Sequence, residues 1–346
     1  MKRTVGSIDG RGRGVCIQAE APQVQAGEVG VRVHASLISP GTELRGVPVQ
    51  RLNPEPDKPP RPFGYAGAGV VEKLGAGVEQ FKVGDRVACM GAGYALHTDY
   101  ACVPQNLCVD VPPGVSMEIA TATHLAATAL QAIRRAEAEF GENTMVMGLG
   151  LVGQLCAQLA QLCGCHAMGV DPLPLRTRVA QAVGVERVVQ ADTEDPVAVA
   201  AEFSRGWGID FGIIAFGGDA SQAFEQMYQS LKMTPDGHRM GRIVIVGGAR
   251  INHEFAASLG NVDVRSAART GPGYHDAAYE HGCAYPPVFV PWTTQRNLAE
   301  CMRAMASGKL QITPLLTHEF ALADIGRAVD VLVDNPDEAI GVILKP

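Results

Sequence analysis

Gly148-Leu149-Gly150-Leu151-Val152-Gly153 decides the fold because of what stands on either side of it. Before it runs a short apolar, strand-like segment, Thr144-Met145-Val146-Met147. After it, Leu151, Leu155, Leu159 and Leu162 fall on one face of a helical pattern. His166-Ala167-Met168-Gly169-Val170 reads as a second strand and closes on Asp171, 18 residues past the last glycine. Strand, glycine-rich turn, helix, strand and acid is the arrangement that binds a dinucleotide. Gly148 allows the tight turn, Gly150 admits a pyrophosphate close to the backbone, and Gly153 lets helix pack on strand. The N–H groups of Leu151 and Val152 open the helix and suit an anion. The bland alternative is a structural glycine turn in another α/β fold.

Asp171 also bears on which dinucleotide binds. A carboxylate at the end of the second strand accepts hydrogen bonds from both ribose hydroxyls of NAD and repels a 2′-phosphate. Arg176, five residues on, could pair with a phosphate but does not easily cancel an acid aimed at the ribose. NAD is therefore expected over NADP.

The 346 residues suggest two domains, each large enough for its own core. Hydrophobic content of 47% against 19% charged fits a globular enzyme, and the 40 glycines and 22 prolines are spread along the chain as turns. A net charge of −7 without a basic block argues against nucleic acid as a partner. The first residues do not read as a charged-then-apolar leader and no apolar run reaches the length of a membrane span, so neither secretion nor membrane spanning is expected. Nine scattered cysteines, an odd number, suit free thiols in a reducing cytoplasm.

Strand signals at 144–147, 165–170, 187–190, 210–215, 242–246 and 262–268, with amphipathic stretches between most of them, predict a doubly wound parallel sheet. The N-terminal third, with short β segments divided by Gly and Pro, predicts an irregular β barrel. Residues 53–62 read as a proline-rich surface loop and 271–291 as a structured loop. Helices are expected over 296–307 and 323–333, and an apolar strand over 339–344. If that last strand returns to the barrel, the organisation is 1–124 with 271–346 as one domain and 125–270 as an inserted NAD-binding domain.

Gly64-Tyr65-Ala66-Gly67-Ala68-Gly69-Val70-Val71, Val83-Gly84-Asp85-Arg86-Val87, the glycine turn and Ile243-Val244-Ile245-Val246-Gly247-Gly248 together resemble the medium-chain dehydrogenase/reductase superfamily. That resemblance implies a GroES-like barrel plus a Rossmann domain, with substrate in the cleft between them. It also implies that Thr128, Phe216, Val246, Gly247 and Arg269 join the glycine turn in contacting NAD, and that two copies pair through the edge strand near 262–268 as a homodimer.

The chain departs from the zinc-dependent members. Tyr65 stands where they carry a histidine ligand, and the segment Ser36 to Glu43 lacks their cysteine. His124, four residues before Thr128, stands at the third ligand position, and one histidine does not hold a catalytic zinc. Cys89, Cys102 and Cys108 are too few and too far apart for the structural zinc. No metal is expected. Ser39-Pro40-Gly41-Thr42-Glu43 and Thr270-Gly271-Pro272-Gly273-Tyr274-His275-Asp276 resemble a zinc-lacking branch similar to sugar and cyclitol dehydrogenases.

Without a metal, side chains must handle the hydroxyl proton of a secondary alcohol. His124, Tyr65 and His275 are the candidates, set against a buried structural histidine, a volume-filling phenol and a loop hydrogen bond. Glu43, Tyr274 and Asp276 are candidate substrate-binding groups. Tyr279, Tyr285, Trp292, Arg296 and Asn297 would suit a hydroxyl-rich small molecule or would simply knit the loop. His97 and Asp99 read as orienting a barrel strand. The competing functions are a zinc-free quinone or enoyl reductase, which Asp171 disfavours, and a non-catalytic NAD-binding redox sensor.

Overall fold

The computed structural model describes residues 2–254 and 257–346, and the chain divides into two compact units, 1–127 with 270–346, and 128–269. In the second unit six strands lie parallel in the order 187–190, 166–171, 143–147, 211–214, 240–246, 261–267. The order reverses between the strands at 143–147 and 211–214, and ligands of such sheets bind outside the carboxyl ends of the strands at that switch point. Met145, Val146, Ile213, Ile214, Ile243 and Val244 are buried, as β-rich runs covered by helices on both faces must be.

The helix Leu151–Leu162 follows the glycine turn. Leu151, Leu155 and Leu159 are buried as the periodicity predicts, but Leu162 is 42% exposed at the last turn. Gln154, Cys156 and Gln158 are buried as well, so the covered face is wider than the leucine stripe.

The first unit is organised around one long strand, Glu28–Ile38, which pairs antiparallel with Ala66–Leu74, Tyr100–Pro104 and Gly341–Lys345. Arg86–Met90 and Cys108–Asp110 extend the sheet on one side and Leu316–Ala321 on the other. A smaller sheet of Lys2–Ile8, Gly14–Glu20 and Arg61–Pro62 lies beside it, which the strand signals above did not include. The proline-rich excursion thus ends in a short strand. The stretch 271–291 contains one short helix, Ala277–Glu280, and the later helices run Thr294–Ala306 and Ile325–Asp334. No described helix is long and apolar enough to cross a membrane.

The C-terminal strand carries Val342, Ile343 and Leu344, all essentially fully buried, and covers one edge of the central strand. Each such side chain contributes about 2 kcal/mol, so their sum approaches the whole stability of a typical domain, about 5–15 kcal/mol. Truncation after Asp337 should therefore leave the first unit unfolded, seen as loss of the cooperative transition in circular dichroism. A truncated chain that still melts cooperatively at the wild-type temperature would contradict this.

Candidate active site

In the second unit the glycine turn is built as the dinucleotide pattern demands. Gly148 has φ +89°, and a side chain there would run into Phe216. A Cβ on Gly153 would lie 1.7 Å from the Gly148 carbonyl oxygen, so only glycine lets the helix approach the turn. Gly150 differs: nothing lies within 4 Å of where its Cβ would be, and no side chain caps the helix it opens. The N–H groups of the first helical turn, which begins at Leu151 and Val152, thus border an open cradle suited to a pyrophosphate. Val246 ends its strand, and Gly247 follows it with φ +90°. Phe216 and Arg269 follow the strands ending at Ile214 and Ala267, and Thr128 lies on the helix Thr123–Ala136.

Asp171 is placed differently from the sequence expectation of an acid presented to a ligand. It is 1% exposed, Oδ1 accepts the Leu173 N–H at 2.9 Å, and Oδ2 accepts the Leu149 N–H at 2.7 Å. Arg176 lies over it, Nη1 at 3.4 Å from Oδ2. The acid thus ties the glycine turn to the second strand, and Arg176 is engaged with it rather than standing apart.

The first unit brings four aromatic candidates together. Tyr65, just before the strand Ala66–Leu74, and His124, in the first turn of its helix, lie with ring centroids 4.5 Å apart. His124 Nδ1 is 2.9 Å from the Tyr65 carbonyl oxygen. A carbonyl only accepts, so Nδ1 carries the proton and Nε2 is the acceptor nitrogen. Tyr274 meets His124 edge-on at 6.2 Å, and His275 stacks on Tyr274 at 4.0 Å. Tyr274 is held by the Ala92 N–H, which donates to its Oη at 2.8 Å. His275 is exposed with φ +72°, a left-handed backbone that costs a non-glycine residue about 1–3 kcal/mol.

Burial sets the protonation of the inner pair. It lowers His124 to about 4, against a smaller opposing effect of its hydrogen bond to Tyr65. It raises the Tyr65 phenol, helped by the charge of Glu43 and opposed by hydrogen bonds from the Ser39 and Thr42 hydroxyls. At neutral pH the imidazole is uncharged and the phenol keeps its proton.

Glu43 does not present its carboxylate to a ligand as expected. The side chain is buried. Oε2 accepts the Ser39 N–H at 2.8 Å and lies 3.3 Å from His97 Nε2, while Oε1 is buried without a hydrogen-bond partner among the described residues. His97, set aside in the sequence reading, is fully buried, with Nδ1 2.8 Å from Ser36 Oγ. Asp99 does orient a strand, its Oδ1 accepting the Thr4 N–H at 3.1 Å.

Asp276 also departs from its expected substrate role. It caps the helix Ala277–Glu280 by accepting the Ala278 and Tyr279 N–H groups, and it accepts the Tyr285 hydroxyl at 2.5 Å. Asn297 is fully buried against the Thr270 carbonyl, and Arg296 stacks on Trp292 at 4.0 Å. These groups knit the loop.

Among the described residues no three His, Cys, Asp or Glu side chains converge as metal donors. His124 has a phenol for its neighbour, and the nearby carboxylate is turned to His97. Cys89 and Cys108 face each other across two barrel strands, fully buried, the Cys89 thiol pushed up to about 12 by desolvation. This donor set does not fit a three-ligand catalytic zinc or a four-thiolate structural one.

Comparison with known proteins bears on both units. The alcohol dehydrogenase GroES-like domain family matches residues 25–113, and the zinc-binding dehydrogenase family matches residues 152–274. An L-threonine 3-dehydrogenase from Thermococcus kodakarensis is 25% identical over 88% of this chain and 87% of its own. Among solved structures, an Escherichia coli oxidoreductase/dehydrogenase of unknown specificity aligns with a TM-score of 0.79 at 22% identity, covering 100% of this chain and 99% of that one. A 2R,3R-butanediol dehydrogenase from Bacillus subtilis aligns at 0.75 and 21% identity, over 99% of each chain.

The buried imidazole has a consequence for stability. The ordinary histidine value of 6.5 falls to about 4 in the folded chain, so the unfolded chain takes up this proton first. The stability it supports is complete above pH 6.5 and declines as pH drops toward 4, by at most about 1.4 kcal/mol per pH unit. His124→Gln should therefore lose less unfolding free energy than the wild type across that interval in urea titrations. Equal losses would show that His124 is not held neutral by burial.

Proposed function

The chain belongs to the medium-chain dehydrogenase/reductase superfamily of oxidoreductases, and from that membership we propose an NAD-dependent, zinc-independent dehydrogenase of secondary alcohols. The substrate class is sugars, cyclitols and related polyols. The observation that carries this reading is the His124–Tyr65 contact, an accepting Nε2 beside a protonated phenol. A secondary alcohol needs an acceptor for its O–H and a donor for its oxygen as the carbonyl forms, and this pair supplies both. Tyr274 and His275 add an aromatic and imidazole wall suited to the C–H faces and hydroxyls of a polyol.

Bound NAD supplies the hydride acceptor. Gly148, Gly150, Leu151, Val152 and Gly153 would hold its pyrophosphate, with Arg176, backed by the buried Asp171, at the ribose and Thr128, Phe216, Val246, Gly247 and Arg269 as further contacts. The Asp171–Arg176 pair favours NAD. Drawing Arg176 away to a 2′-phosphate would leave a buried acid unpaired beside a second anion. His124, held through Nδ1, orients the hydroxyl, while Tyr65 steadies the oxygen. Nine free thiols fit a cytoplasmic setting. Among the described residues the strand Asn261–Ala267 is paired on one side only, and that edge would suit a homodimer contact.

The test is turnover of a panel of sugars, cyclitols and 2,3-butanediol with NAD or NADP on protein of measured metal content. We expect NAD reduction without stoichiometric zinc, and His124→Ala should lower kcat by about 10²–10⁴-fold while NAD binding by calorimetry is retained. Asp171→Ser should narrow the preference for NAD over NADP. Stoichiometric zinc, or NADPH-driven reduction of quinones or enones in place of alcohol oxidation, would overturn the reading. NAD binding with no turnover of any alcohol would leave a redox sensor instead.

A further inference from the structure

The loop that carries Tyr274 and His275 turns left-handed at three residues. Gly271 has φ +117°, Gly273 +101° and His275 +72°. Glycine takes such angles freely, and Gly273 also makes room for the Tyr279 ring, 2.4 Å from where its Cβ would be. His275 has no such freedom. A side chain stays in this conformation only where its surroundings impose it.

One buried residue imposes it here. The His275 N–H donates to Glu280 Oε1 at 2.7 Å, and Glu280 is 4% exposed although His275 itself is exposed. Glu280 ends the short helix Ala277–Glu280, which Asp276 caps without help from this carboxyl group. Beside it stands Tyr94, its phenol raised by burial and then by the charges of Glu280 and Glu28. Tyr94 closes a turn begun at Gly91, its N–H donating to the Gly91 carbonyl at 3.1 Å. In the same turn the Gly91 N–H donates to the Tyr65 carbonyl at 3.0 Å, and the Ala92 N–H to Tyr274 Oη at 2.8 Å. Glu280 thus ties His275 to the turn that also fixes Tyr65 and Tyr274.

The consequence is geometric. The His275 ring lies on the Tyr274 ring at 4.0 Å, 24° from parallel, and Tyr274 in turn meets His124 edge-on. Among the described residues no hydrogen bond occupies either ring nitrogen of His275. The imidazole is therefore held in place with a donor and an acceptor to spare. A return to negative φ would swing it off Tyr274. We propose that Glu280 is a positioning residue for substrate specificity: by accepting the His275 N–H it fixes the imidazole on Tyr274, where the ring nitrogens receive hydroxyls other than the reacting one. Glu280 itself touches no substrate. This rests on the dehydrogenase reading given above, in which Tyr274 and His275 wall the alcohol site.

The first test needs no turnover. In the full chain with NAD present and isotope-labelled histidine, the magnetic resonance signal lost in His275→Gln identifies this ring. Stacking on Tyr274 should place its ring protons upfield, and Tyr274→Leu should remove that shift. Glu280→Met, a side chain of similar length without an acceptor oxygen, should remove it too. Glu280→Gln, whose amide oxygen still accepts, should recover most of it. A His275 signal in Glu280→Met identical to the wild type overturns the proposal. If that variant does not fold, amide hydrogen exchange of the wild type decides. The His275 N–H should be protected despite its exposed loop, and exchange at the rate of a free amide overturns the hold.

The second test uses the alcohols that the panel identifies. Glu280→Met should lower the preference for the best sugar or cyclitol, over the least hydroxylated alcohol turned over, about tenfold in kcat/KM. The loss should fall on KM rather than kcat, and Glu280→Gln should recover most of it. An unchanged preference in folded Glu280→Met, or a loss confined to kcat, overturns the proposal. Absence of any alcohol turnover by the wild type fails the dehydrogenase reading, while the histidine signal still decides whether Glu280 holds the stack.

Discussion

Desolvation is the constraint on which the site in the first unit depends. Two ionisable groups here, His124 and Tyr65, lose water, and each responds by favouring its neutral form: the imidazole moves down and the phenol up. A cation bound among such groups would reverse both preferences. Among the described residues no three donors converge on one, and on the proposed reading alcohol chemistry proceeds by hydrogen bonds that already point the right way. A buried charge survives only with a partner, and Glu43 keeps its place by pairing with His97 and accepting the Ser39 N–H.

The backbone makes that arrangement possible at one residue. Gly64 has φ +126°, and a Cβ on it would fall 2.2 Å from the His97 nitrogen. The segment Phe63–Tyr65 therefore lies directly against Leu96–His97, fixed by the His97 N–H donating to the Phe63 carbonyl at 3.1 Å. A larger residue would separate the phenol from the pair behind it. The central strand contributes Ser36, and the turn after it contributes Ser39 and Glu43. Three segments remote in sequence thus supply one hydrogen-bonded cluster, and the sheet register holds them in place.

This explains what could and could not be read beforehand. The glycine turn was legible because its chemistry is local: conformation, close approach and open space fall on Gly148, Gly153 and Gly150 within six residues. The parallel strands were legible because both faces are buried, which leaves continuous apolar runs. His124 and Tyr65 emerged through likeness to a family and not from spacing. His97 was missed because its significance lies in a partner 54 residues away, and nothing in Leu96-His97-Thr98 marks it as buried. The nearest signal was Gly64, a glycine beside a candidate residue at a strand start, which indicates a close backbone approach. Asp276 misled for the opposite reason. An acid just before a short helix is a helix cap by its position, and that local role took precedence over proximity to His275.

Two of the buried acids make the contrast sharpest. Asp171 and Glu43 are both carboxylates withdrawn from solvent, and each has one basic side chain as a neighbour. Asp171 has N–H donors on both oxygens, which hold it in place, as suits a tie between a turn and a strand. Among the described residues, Glu43 has donors on one oxygen only. A fully satisfied carboxylate gains nothing by taking a proton, because protonation would break a hydrogen bond already made. A carboxylate with one bare, buried oxygen keeps a desolvation cost that is not offset there. The same side-chain chemistry is thus a fully satisfied anchor in one unit and a half-satisfied one in the other, and the count of donors around each oxygen is what separates them.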